Sequence, residues 1–227
     1  MKKITIISDT HTLHGKLTSD LNGGGIIIHA GDIMNSGYQK KDITSFLQWY
    51  GGLGYDESIF IAGNHDKMFE HDPDGVKELL SEYDVTYLQD SMVMVDGIKI
   101  YGSPWQPEFY NWAFNLPLGG KEIGEKWDKI PTDTGILVTH GPPQGILDVS
   151  GPPHISMGLG CSLLKLKVDE IKPKIHIFGH IHGSYGYKFI NGTHFFNASV
   201  LNESYEYTNK PIVFEWDEVT NEINFIK

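Results

Sequence analysis

The sequence contains no arginine: its Lys+Arg total of 18 is made up entirely of lysine. Guanidinium groups grip phosphate through paired hydrogen bonds, so any phosphate handled here must be held by metals, histidines, lysines or backbone N–H groups. Cysteine is almost as scarce. With Cys161 alone, no intramolecular disulfide can form and no cysteine cluster can hold a metal, which leaves nitrogen and oxygen donors for any metal site. Positive charge is short overall. The formal net charge of −11 disfavours broad attraction to nucleic-acid duplexes or anionic membranes, without excluding a small anionic substrate. No apolar run approaches the roughly 20 residues that a membrane helix needs. Met1-Lys2-Lys3 leads straight into Ile4-Thr5-Ile6-Ile7, which is too short for a signal-peptide core and has no small-residue cleavage site after it. The expectation is a cytoplasmic protein whose first strand begins at once. With no internal repeat, low-complexity tract or long linker, a single domain over 1–227 is expected.

Short apolar runs recur at Ile4 to Ile7, Ile26 to Ala30, Ile59 to Ala62, Ile136 to Val138 and Ile175 to Phe178, each followed by turn-forming residues. Their length and β-branched content predict buried strands. Asp96-Gly97 suits a two-residue turn between Met92 to Val95 and Ile98 to Tyr101. Helical patterns fall around Lys40 to Tyr50, Pro73 to Tyr83, Gly120 to Lys129 and Ser162 to Ile171. The last carries Leu163, Leu164, Leu166, Val168 and Ile171 on a broad apolar face, with Pro173 just beyond its end. Strands alternating with helices predict an α/β fold. The C-terminal third reads as consecutive strands at Tyr187 to Ile190, His194 to Ala198, Ile212 to Trp216 and Glu222 to Ile226.

The chemistry lies at the strand ends. Asp9, Asp32, Asn64, His140 and His180 each stand a few residues beyond a predicted strand, and in open α/β sheets ligands bind outside the carboxyl ends of the strands. His11 and His182 lie two positions after Asp9 and His180, where an extended backbone would turn both side chains of each pair to one side. Seven nitrogen and oxygen donors exceed one tetrahedral ion and suit two ions sharing a carboxylate, for which Asp32 is the natural bridge. Gly31, Gly63 and Gly179 precede three of these residues and allow close backbone approach.

Asp9-Thr10-His11, Gly31-Asp32, Gly63-Asn64-His65-Asp66, His140-Gly141 and Gly179-His180-Ile181-His182 resemble, in order and spacing, the motifs of the calcineurin-like metallophosphoesterases. Tyr101-Gly102-Ser103-Pro104-Trp105, Trp112-Ala113-Phe114-Asn115-Leu116-Pro117 and Thr139-His140-Gly141-Pro142-Pro143 narrow the resemblance to the small metallophosphoesterase-domain-containing proteins, which are similar to class III cyclic nucleotide phosphodiesterases. The resemblance implies a four-layer αββα sandwich. It implies Asp9, His11, Asp32 and His182 on one divalent metal ion and Asp32, Asn64, His140 and His180 on a second, with Mn²⁺ favoured and Fe or Zn²⁺ compatible with the same donors. It also implies in-line attack by a metal-bridging hydroxide on a small phosphodiester, a 2′,3′- or 3′,5′-cyclic nucleotide or an aryl diester. Asn64 and His65 are then expected at the substrate. His65 would protonate the leaving alkoxide, and Asp66 would orient its ring. Some members of the group lack the histidine equivalent to His180; this chain keeps it. A phosphomonoesterase, or a nucleotide-binding protein of the same fold with little turnover, is the alternative.

Other residues read differently. His29 and His176, inside apolar strand runs, are expected to be hydrogen-bonded interior groups, and His14, His71, His154 and His194 carry no site expectation. Trp105, Phe109, Tyr110, Trp112 and Phe114 read either as a loop packed over the sheet edge, the preferred reading, or as a stacking rim for a nucleobase at Trp105 and Trp112. Cys161 has no basic partner nearby in sequence and reads as a small buried apolar residue.

Overall fold

The computed structural model describes residues 1–151 and 157–226; His154 lies outside them. Two six-stranded sheets form the centre. In the first, Lys2–Ile7, Ile26–His29, Glu57–Phe60 and Thr86–Tyr87 run parallel, and Ile212–Asp217 and Glu222–Phe225 extend it antiparallel from Lys2–Ile7. In the second, Ile98–Ser103, Ile136–Thr139, Ile175–Phe178 and Thr193–Asn197 run parallel, flanked by the antiparallel edges Ser91–Val95 and Gly186–Ile190.

The isoleucine-rich runs are continuous because both faces of each central strand are buried. Ile26 and Ile28 point into the core between the sheets with Ile4, Ile6, Ile177 and Phe214, whereas Ile27 points outward to Phe46 and Tyr50 of the Lys40–Gly51 helix. On the second sheet Leu137 and Phe178 meet Trp127, Leu164 and Val168 of the Lys121–Asp128 and Ser162–Ile171 helices. The rings of Phe196 and Phe214 stack at 4.9 Å and tie one sheet to the other. Helix, sheet, sheet and helix layers result, the predicted αββα sandwich.

Both two-residue hairpin turns have positive φ at both positions, 49° and 85° at Asp96-Gly97 and 51° and 88° at Asn191-Gly192, as a type I′ turn requires. The first strands stop at His29 and Phe60, one and two residues short of the apolar runs, and the Pro73–Leu80 helix ends before Tyr83. Leu166 is 65% exposed and does not belong to the apolar face expected for its helix, which buries Leu164 and Val168. The C-terminal strands do not form one sheet: between Asn197 and Ile212 the chain crosses from the second sheet to the first. That crossing passes the functional site.

Candidate metal centre

The carboxyl ends of both sheets open onto the same place. Asp9, Asp32 and Asn64 follow strands of the first sheet, and His140 and His180 follow strands of the second. A parallel bridge between Ser8 and Ser199 stitches the sheets together there, supported by Val200 N–H donating to Ser8 C=O at 3.0 Å.

The structure brings Asp9 and His11 into one donor group but puts His180 and His182 in separate ones, and the backbone there departs from the extended-strand expectation. Asp9, His11, Asp32 and His180 all have left-handed backbones, with φ of 56°, 41°, 58° and 67°, and His182 opens a 3₁₀ turn. Residues of this kind at positive φ are uncommon and concentrate at functional sites. Tight turns, not strand alternation, aim these side chains.

Asp32 Oδ2 lies 3.6 Å from His11 Nε2 and 3.4 Å from His140 Nε2, and Asp9 Oδ1 lies 3.4 Å from His182 Nε2. His140 Nε2 is also 2.9 Å from Asn64 Oδ1. On each of these three imidazoles the other nitrogen is taken by a backbone carbonyl: His11 Nδ1 by Met34 at 3.1 Å, His140 Nδ1 by Ala30 at 2.9 Å and His182 Nδ1 by Asn202 at 3.0 Å. A carbonyl only accepts, so Nδ1 carries the proton and Nε2 is presented to the centre, the arrangement that metal-ligating histidines adopt. Asp9 is held in turn by Ser199 Oγ at 2.7 Å and by the His180 N–H.

Glycine is required at the strand ends by contact. A Cβ at Gly31 would stand 2.6 Å from His140 Nδ1, while at Gly63 it would collide with Asp32 Oδ1 and at Gly179 with Ser8 Oγ and Asp9 Oδ2.

Three donor groups converge within metal-ligating range: Asp9 with His11 and His182, His11 with Asp32 and His65, and Asp32 with His140 and His180. Burial alone would raise the carboxyls, but His182 pulls Asp9 down and His140 pulls Asp32 well below the ordinary carboxylate range. Burial lowers His11 to about 4, and burial with the neighbouring His140 lowers His180 to about 3, which keeps both as neutral donors. His140 and His182 are raised to about 9 despite burial, because Asp32 and Asp9 face them, so without an ion each holds on Nε2 a proton that a divalent cation would displace. The buried Nε2 of His11 has no hydrogen-bond partner, a group that a cation would satisfy. Ionised carboxylates and inward-turned imidazole nitrogens thus fit divalent ions.

His65 is half-buried beside this centre, with its ring 4.6 Å from His11 and stacked on Trp112 at 4.0 Å. Its Nδ1 donates to the carbonyl of Asn35. Asp66 does not touch that ring. Its fully buried carboxyl group accepts the backbone N–H groups of Gly63 at 2.8 Å, Met34 at 2.8 Å and Ile33 at 3.2 Å, and so clamps the Asp32 loop to the Asn64 loop. Burial and the charge of Asp32 push it up to about 8 against the pull of these donors. Trp105 lies elsewhere, between the helix-side cores, with its Nε1 on Asp90 at 3.1 Å and Lys126 Nζ 3.7 Å from its ring centre. It packs against both cores and is not among the described residues that wall the cleft.

Residues 2–184 match the sequence model of the calcineurin-like phosphoesterases. The chain belongs to that family. Metallophosphoesterase domain-containing protein 1 of Homo sapiens is 38% identical over 94% of this chain and 70% of its own length. A UPF0046 protein of Caenorhabditis elegans is 34% identical over 93% of this chain and 74% of its own. Among solved structures, TT1561 of Thermus thermophilus superposes with a TM-score of 0.65 at 12% identity, covering 99% of this chain and 97% of that one. The phosphopantetheinyl hydrolase of Mycobacterium tuberculosis gives 0.61 at 16% identity over 89% and 90%. At such identities these two establish the fold.

A cleft of about 360 Å³ opens from His180 and His182 of this phosphoesterase and is walled by Pro107, Phe109, Pro142, Leu159, Glu108, Glu203 and Tyr205, among others. Ser199, Asn202 and Tyr205 were not among the predicted site residues. They lie in the crossing between sheets; Ser199 directly follows a predicted strand, whereas Asn202 and Tyr205 carry no strand-end signal. Among the described residues no helix is long and apolar enough to cross a membrane.

Proposed function

We propose that this phosphoesterase hydrolyses small phosphodiesters, 2′,3′- or 3′,5′-cyclic nucleotides and aryl diesters, with two divalent ions, manganese favoured. The observation that carries the reading is the single oxygen of Asp32, Oδ2, facing His11 on one side and His140 on the other. Asp9, His11, Asp32 and His182 would hold one ion, and Asp32, Asn64, His140 and His180 the other. Bound there, the ions would polarise the phosphoryl oxygens and lower the pKa of a water.

The chain's own residues supply the rest. Backbone carbonyls fix three imidazoles before any ion arrives, which lowers the reorganisation the site must undergo. His65, with Nδ1–H committed to Asn35, can give a proton only from Nε2, and only as the imidazolium. In that form it would protonate the leaving alkoxide. The cleft favours a small ester. Among the described residues its lining holds no lysine, and Glu108 and Glu203 would repel an acidic phosphoprotein or a nucleoside polyphosphate. Duplex nucleic acid and membranes are disfavoured as partners by the same balance of charge.

A steady-state screen of cyclic nucleotides, aryl diesters and aryl monoesters with added Mn²⁺ tests the proposal. Diesters should exceed monoesters in kcat/KM. A monoester preference would overturn the substrate class, and no turnover with any divalent metal would leave a nucleotide-binding module.

A further inference from the structure

The crossing between sheets ends in a tightly built turn. Leu201 pairs antiparallel with Tyr207, Asn202 N–H donates to Glu206 C=O at 2.9 Å, and Asn202 Oδ1 accepts the N–H groups of Ser204 and Glu206 at 2.9 Å each. Tyr205, whose N–H donates to Asn202 C=O, is held at φ 59°. Glycine or asparagine takes that conformation readily. A bulky aromatic there is an outlier, and such outliers persist where the surroundings over-determine them and the side chain has a task.

The side chain is aimed at the metal centre. The Tyr205 ring packs edge-on against His11 at 4.8 Å and His182 at 5.2 Å, and lies 6.4 Å from His65. It lines the cleft and is 44% exposed. One residue couples ligand and ring: the Asn202 carbonyl that accepts from His182 Nδ1 also accepts from Tyr205 N–H, and its side chain closes the turn. The Tyr205 backbone and the His182 ring are therefore tied to the same carbonyl.

We propose that the Tyr205 hydroxyl is a hydrogen-bond donor to a non-bridging phosphoryl oxygen of the substrate. The inference rests on the phosphoesterase reading above. In a chain without arginine, and with no lysine among the described residues of the cleft wall, oxygens beyond the reach of the ions need other donors, and the Tyr205 phenol, its ring packed against His11 and His182, is one that the cleft offers.

The test compares Tyr205→Phe and Tyr205→Ala with wild type in bis(p-nitrophenyl) phosphate turnover, orthophosphate affinity by calorimetry of the Mn²⁺-loaded protein, and metal content. Tyr205→Phe keeps the ring and removes only the donor. It should lower kcat/KM roughly 10-fold or more and weaken orthophosphate binding several-fold, with metal content unchanged. Retention of both within twofold in Tyr205→Phe, with loss only in Tyr205→Ala, would make the ring a packing element and overturn the proposal. Were wild type inactive toward every ester, the phosphoesterase reading would fall, and the orthophosphate comparison would still decide the role of the hydroxyl.

Discussion

The backbone N–H of His65 donates to Oδ1 of Asp32 at 2.8 Å, which leaves Oδ2 as the oxygen that faces both His11 and His140. A bridge, if two ions bind as proposed, would then use Oδ2. Asp32→Asn keeps the shape, but removes the charge and can place an N–H where an acceptor is needed. It should drop bound metal from two ions per chain to one or fewer by elemental analysis, and lower kcat/KM by roughly 10³ or more. Retention of two ions would show that Asp32 is no bridge.

Asp66 binds three backbone N–H groups from two loops and leaves the His65 ring alone. Asp66→Asn should therefore destabilise the fold by about 2–3 kcal/mol in denaturant titration, since an amide cannot accept all three bonds without presenting a donor to one of them. Unchanged stability, together with an altered dependence on leaving group, would return Asp66 to the orienting role first expected of it.

The two tryptophans should separate cleanly. Trp112 stacks on His65, so Trp112→Ala is expected to lower turnover about 5- to 10-fold with a small change in Tm. Trp105 packs under Lys126 and bonds Asp90, so Trp105→Ala should cost about 2–3 kcal/mol of stability and leave nucleotide affinity unaltered. Nucleotide titration and thermal melts of both variants check this.

His29 and His176 give a pH dependence of stability. Gly31 N–H donates to His29 Nδ1 at 3.2 Å, so Nε2 carries the proton and donates to Thr10 Oγ1 at 2.9 Å. Thr139 Oγ1 spends its proton on Gly141 C=O, so it accepts from His176 Nε2 at 2.9 Å. Burial lowers both histidines to about 3 from an ordinary 6.5. The unfolded chain then binds protons first as pH falls, so this stability is complete above pH 6.5 and is lost as pH drops toward 3. Each histidine should contribute a slope on the order of 1 kcal/mol per pH unit in that window. Urea titrations at stepped pH should show a shallower acid slope in His176→Gln; an identical slope would contradict the assignment.

Much of the site was legible because its signals are local. Gly31-Asp32 and Gly63-Asn64 carry the turn and the donor in adjacent residues, and the isoleucine runs before them announce strands buried on both faces. The layers were legible for the same reason, since Ile27 between Ile26 and Ile28 needs an apolar partner on each side. What was not legible depends on contacts distant in sequence. The reach of Asp66 to Ile33 and Met34 spans more than 30 residues, and adjacency to His65 suggested a nearer partner. The left-handed backbones of Asp9 and His11 leave no mark in a sequence of ordinary residues. Tyr205 sits in a polar loop whose composition says only that a turn is present.

Metal content and turnover measured together on one sample test the central claim most directly. Protein stripped of metal and titrated with Mn²⁺ should regain bis(p-nitrophenyl) phosphate hydrolysis as two ions bind, and His140→Ala should bind fewer ions and show almost no activity. Full activity with one ion, or undiminished activity in His140→Ala, would contradict a centre built on the two faces of Asp32.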